Sequence, residues 1–151
     1  MIRCCAPLIG LALAGPAAAL SCSGAASIEA NYAFAAESEV DYVIAIGRLE
    51  NVGPRETIDD QGSYRQMTRL EGEILIQDGF APGWSAEVEV TGLCYGGGCG
   101  GHSVDVETLY FLERTDAGYA FVTGGCGGLA HANPTRADMD AVLQCVRGGC
   151  D

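Results

Sequence analysis

The chain has 151 residues, with 20 acidic and 8 basic side chains, every basic one an arginine, and a formal net charge of -12. A molecule with that field repels phosphate backbones and anionic head groups, which excludes nucleic acid as a partner class. The charge reads as a solvated surface that keeps an exported protein in solution.

Met1-Ile2-Arg3, an apolar run from Ala6 to Ala14, Gly15-Pro16 and the small residues Ala17, Ala18 and Ala19 follow the order of a signal peptide. The run is about half the roughly 20 residues a membrane-spanning helix needs, and no later segment is longer or less polar, so no integral membrane segment is expected. Small residues at the third and first places before the cut permit cleavage after Ala19 or after Ser21. Residues 1–21 therefore read as a signal peptide and 22–151 as a single domain, long enough to bury roughly two thirds of its unfolded surface around one core. The expected location is periplasmic or secreted. A lipoprotein anchored through Cys22 is the competing outcome, disfavoured because Ala19 rather than Leu stands three places before that cysteine.

From Ser27 to Glu37, Ile28, Tyr32 and Ala35 fall at helical spacing behind a Ser27 cap, which predicts a short helix. Asp41 to Leu49 is β-branched and aromatic on both faces, the mark of a central strand. Asn51 to Gly62, rich in Gly, Pro, Asp and Asn, reads as an exposed loop. Tyr64 to Gln77 alternates, with Thr68, Leu70, Gly72, Ile74 and Ile76 on one face and Arg69, Glu71 and Glu73 on the other, and Gly72 suggests a bend or bulge. Asp78-Gly79 and Pro82-Gly83 read as turns, and Ser85 to Thr91 as a third strand with strict Val/Glu alternation. The Gly-rich stretch Cys94 to Gly101 reads as a loop held by a bridge. Val104 to Arg114 and Tyr119 to Thr123 read as strands of a hairpin joined through Thr115-Asp116-Ala117-Gly118. A final helix is expected behind a Thr135 cap with Asp138 three places on, carrying Met139, Val142, Leu143 and Val146, and stopped by Gly148-Gly149.

Cys4 and Cys5 leave with the signal, and the six that remain are an even number in an exported chain, which reads as disulfides. Cys94–Cys99 and Cys145–Cys150 are close pairs enclosing glycines, and by elimination Cys22 would join Cys126. That last bridge would close the longest loop and in the chain-entropy model contribute up to about 4 to 5 kcal/mol. The count alone leaves other pairings open. A metal set drawn from Cys94, Cys99, His102, Cys126 and His131 is the alternative, but zinc sites favour tighter cysteine spacing and a reducing compartment, so no metal and no other cofactor is expected.

Five short strands with a bend in the second, one helix before and one after, predict a mostly β chain: a small five-stranded OB-like Greek-key barrel, disulfide-stapled, with a short N-terminal helix and a C-terminal helix. Cys22-Ser23, the helix, the strand Tyr42-Val43-Ile44-Ala45-Ile46-Gly47, a middle cysteine at Cys94, Glu107 to Leu112, and Tyr119 to Cys126-Gly127-Gly128 together resemble the netrin-like domain, the fold of the tissue inhibitors of metalloproteinases. The resemblance spans most of 22–151. It implies an N-terminal cysteine bridged to the body of the domain and, in the inhibitors, a first-cysteine amine and carbonyl that chelate the zinc of a target protease. Only Cys22 matches the family's Cys-x-Cys, since Ser21 and Ser23 flank it.

No Gly-x-Ser-x-Gly, His-Glu-x-x-His or phosphate loop is present, and the only histidines, His102 and His131, stand in Gly-rich or loop sequence, where the bland reading is a solvated bystander. No catalytic residue is assigned. The expected function is a binding module of the cell envelope, taking an envelope or extracellular protein, with a protease as the partner the resemblance implies. Its contact surface would be Cys22, Ser23, Tyr95, Gly127 and His131. A structural envelope component without a discrete site is the alternative.

Overall fold

The computed structural model describes residues 26–77, 79–96 and 98–150. The segment expected to be a signal peptide, Cys22 and Ser23 lie outside the described residues. A first helix, α1 (Ile28–Glu37), is capped by Ser27, whose hydroxyl accepts the Ala30 N–H at 3.2 Å. A second, α2 (Arg136–Val146), opens with a reciprocal cap in which Thr135 and Asp138 satisfy each other's backbone N–H groups. Between them run β1 (Tyr42–Thr57), β2 (Tyr64–Ile76), β3 (Gly79–Gly92), the short β4 (Cys94–Tyr95) and β5 (Gly98–Cys99), β6 (Thr108–Thr115), β7 (Gly118–Gly124), and the short β8 (Gly127–Gly128) and β9 (Ala130–Ala132).

The five long strands close into a ring. Antiparallel pairings join β1 to β2, β2 to β3, β6 to β7 and β6 to β1, and a parallel pairing of β3 with β7 completes the circuit. Inside it Ala45, Leu49, Leu70, Val88, Val90, Tyr110, Leu112 and Phe121 form one buried cluster. A second forms on the outer face of β1 and β6, where Ile44, Leu109 and Phe111 meet Ile28 of α1 and Val142 of α2. This two-sided burial is why the Tyr42–Leu49 run is apolar at successive positions, whereas β2 and β3, wet on one face, alternate.

Closure bends the strands sharply, and two facing glycines permit it. Gly47 is paired with Gly72 across β1 and β2. A Cβ on Gly72 would lie 2.0 Å from the Ile46 carbonyl oxygen, and one on Gly47 2.3 Å from that of Glu71. The bend lies at the position Gly72 indicated, but the extra residue is on the neighbouring strand: Gly72 faces Trp84 and Glu73 faces Pro82, which leaves Gly83, at φ +77°, as the bulge of β3.

Three local expectations are corrected. Asn51 to Gly62 is not one loop: β1 continues to Thr57, and Val52-Gly53-Pro54 is a bulge opposite Met67, a place where a missing proline N–H costs no ladder bond. The true connection is 58–63, folded around Asp59, whose carboxylate accepts the N–H groups of Gln61 and Ser63 at 2.9 Å each. Pro82-Gly83 is a bulge inside β3, not a turn. The strand expected from Val104 starts at Thr108, because Asp105 adopts φ +61° and breaks the extended run, leaving Val104 a single bridge to Leu49. The Cys94–Gly101 stretch is a two-residue hairpin whose facing cysteines are bonded, Cα to Cα 4.0 Å, and Cys145–Cys150 clasps the end of α2, Cα to Cα 4.3 Å. No helix among the described residues is long and apolar enough to cross a membrane.

The glycine pair is testable by contrast. Gly72→Ala must push backbone off backbone and will cost about 3 kcal/mol, near the upper end for single substitutions. Gly101→Ala, with open space around the added methyl, will stay within about 0.5 kcal/mol of the parent in denaturant unfolding.

Candidate functional site

β6 and β7 pair at three positions only, Glu113 with Ala120, Arg114 with Tyr119 and Thr115 with Gly118. Beyond these they part. The segment from Gly127 to Ala132 then enters the gap: β8 pairs with β7 through Thr123 and Gly124, and β9 pairs with β6 through Thr108, Leu109 and Tyr110, with Leu129 between them accepting the Phe111 N–H at 3.0 Å. Gly128 is required there, because a Cβ would lie 2.4 Å from the Val122 carbonyl oxygen. Gly127, at φ +84°, makes the preceding turn, and Asn133, at φ +51°, ends β9 ahead of α2.

An open groove of about 970 Å3 follows the line of this gap. Its apolar lining includes Phe34 of α1, Val122 of β7 and Leu129, and it also takes in Gly101, His102 and Ser103 from the loop after β5, and Cys126, Gly127 and His131. Phe34 is 58% exposed and Val122 40%, more open than side chains of a settled core.

Both histidines of the chain therefore line one groove, and neither is a solvated bystander. Asn31, a buried residue of α1, places its side-chain Nδ2 2.8 Å from His131 Nε2; an amide nitrogen only donates, so Nε2 is the acceptor and the ring proton sits on Nδ1. His102 Nε2 lies 2.9 Å from Asn51 Oδ1, which only accepts, so here Nε2 carries the proton and Nδ1 takes the Tyr64 O–H at 3.4 Å. The Arg55 guanidinium lies 3.6 Å over the Tyr64 ring. Burial pushes the His102 imidazole below its ordinary pKa, with the Arg55 charge adding to the effect. Burial also lowers His131, against the opposing pull of Asp138 and Glu29.

Of the residues expected to form the contact surface, Gly127 and His131 are brought together here. Tyr95 is not among the groove residues: it stands 58% exposed on the β4–β5 hairpin, one bonded turn away from the Gly100–Ser103 wall. Cys22 and Ser23 fall outside the described residues. Cys126 is disulfide-bonded, and the expected Cys22 partner cannot be placed because it too lies outside them. Sequence reasoning did not name Asn31 or Phe34, and it weighed His102 only as a metal ligand or a solvated bystander; of the three only His102, in its Gly-rich context, carried a signal. Among the described residues no group of three His, Cys, Asp or Glu side chains is arranged to hold a metal ion.

No protein family, curated protein or solved structure matches the chain.

The buried amide is the most exposed to test. Asn31→Ala removes the hydrogen bond that ties α1 to β9 and leaves His131 Nε2 without its donor, at a cost of about 1 to 2 kcal/mol. Asn51→Ala, at an exposed pair, will cost less than about 1 kcal/mol; urea unfolding of the two variants at neutral pH checks the order.

Proposed function

We propose that the chain is an exported binding module of the cell envelope that holds an envelope or extracellular protein through its Gly-rich loops and N-terminal segment, with inhibition of a protease as the specific form. The observation that carries this reading is the groove along the parted strands β6 and β7, where loops stiffened by disulfides at Cys94–Cys99 and Cys126 meet exposed Phe34 and Val122. Loops fixed on a rigid scaffold are where recognition is usually carried, and large aromatics with little rotamer entropy make efficient anchors.

An OB-like, netrin-like architecture is part of the same proposal. It is supported by the strand path, in which a five-strand ring closes through one parallel pairing and is flanked by two helices. The bonded state of the described cysteines and the absence among described residues of a long apolar helix agree with an exported, non-spanning protein. A binder is favoured over an enzyme because both ring nitrogens of His102 and Nε2 of His131 are engaged by amide and phenol partners rather than by a nucleophile.

A photo-crosslinking side chain placed at Val122 will yield adducts with one envelope protein, while the same group at Met67, on the wet face of β2, will not. Equal labelling from both positions, or none from Val122, contradicts a binding groove. Where the adduct is a metalloprotease, one added alanine before the mature N-terminus will abolish inhibition without changing thermal stability; unchanged inhibition rules out the zinc-chelating form.

A further inference from the structure

The two histidines lie 29 positions apart (131 minus 102) and on different elements, yet both end in one groove, each joining a groove wall to a separate part of the fold. His131 ties β9 to α1 through Asn31, and His102 ties the loop after β5 to β1 through Asn51 and to β2 through Tyr64. In each ring one nitrogen is a lone-pair acceptor facing a donor, Nε2 of His131 toward the Asn31 amide and Nδ1 of His102 toward the Tyr64 hydroxyl. A proton added at either acceptor would set N–H against a donor, and the partner must turn before a bond can form again.

The surroundings decide how readily that proton arrives. Around His102 the facing groups are Arg55 of β1 and the phenol of Tyr64, so a second positive charge would be placed beside a guanidinium in a half-buried pocket. Around His131 they are Glu29 of α1 and Asp138 of α2, which soften the burial cost without removing it. Tyr64 has no room to retreat: it is 2% exposed and its ring packs against the Gly92 backbone, where a Cβ would lie 2.1 Å from it. The loop, not the tyrosine, is the part that can move.

We propose that His102 and His131 are paired acid latches: neutral, they hold the two walls of the groove to the ring and to α1, and protonated, they release the Gly100–Ser103 loop and the Gly127–Ala132 segment while the ring itself stays folded. The proposal concerns the groove's own opening and stands whatever partner, if any, occupies it. The sign follows from linkage. The closed form prefers the neutral imidazole and the released form titrates normally, so closure is fully favoured above about pH 6.5 and weakens as pH falls from there toward the closed-state pKa.

The test uses the oxidised mature chain. Imidazole proton shifts are followed by NMR from about pH 8 to about pH 4.5, and backbone amide exchange, corrected for its intrinsic pH dependence, is measured over the same range. Both imidazoles are expected to titrate below the ordinary value. Corrected exchange is expected to rise in both 100–103 and 127–132 as pH falls, by about tenfold for each unit by which the closed-state pKa is depressed, while Leu70, Val88 and Leu112 inside the ring stay protected. His102→Gln and His131→Gln, which keep a neutral hydrogen-bonding side chain, are each expected to remove the pH dependence of their own segment only. Imidazoles that titrate at or above the ordinary value overturn the proposal, as does a corrected exchange rate that is flat in either segment or that rises equally throughout the ring. Should a variant fail to fold, the wild-type titration and exchange decide alone.

Discussion

The structure depends on how its ring is closed. Four of the five junctions have five or more paired positions, whereas β6 and β7 meet at three and then diverge. A gap in a sheet leaves backbone N–H and C=O groups that must be satisfied, and the chain satisfies them with its own next segment, laying β8 on one rim and β9 on the other. From that repair come the groove, the need for glycine at 128, and the approach of His131 to α1. The Gly100–Ser103 wall is set by the same constraint, since a Cβ on Gly100 would lie 2.1 Å from the Thr123 carbonyl oxygen and Thr123 Oγ1 donates to the Gly101 carbonyl at 3.2 Å.

Charge plays a different part. On the wet face of β1, β2 and β3, arginines and glutamates sit opposite one another: Arg69 is paired with Glu50 on one side and Glu87 on the other, Arg48 with Glu71 and Arg65 with Glu56. The closest ion pair on this face, Arg65 to Glu89 at 3.1 Å, is half exposed, so each such bridge contributes at most about 1 kcal/mol. Their value is in register and solubility. With the basic residues of this face matched, much of the acid excess falls to the helices, their flanks and the loops.

What could be read beforehand follows physical locality. The Glu87-Val88-Glu89-Val90 alternation, the two-sided apolar run at Tyr42–Leu49, the caps Ser27 and Thr135 and the two short disulfides are all signals carried within a few residues, and each stands where it was read. Gly53-Pro54 and Pro82-Gly83 were misread because residues that favour turns also favour bulges, and only pairing with Met67 or Gly72 separates the two. Ala130-His131-Ala132 is too short to show a period. The groove was hidden for a deeper reason: the hydrogen bond between Asn31 and His131 spans 100 positions and exists only once β9 has entered the gap.

Interstrand NOEs test the closed ring most directly. A ring closed as described predicts backbone contacts of parallel geometry between Val88 and Tyr119 and between Val90 and Phe121, together with antiparallel contacts between Glu113 and Ala120 and between Leu109 and His131. If the β3–β7 contacts are missing while β1–β2 and β1–β6 remain, the sheet is open, and the groove, its repaired gap and its two latched walls do not exist in the form described.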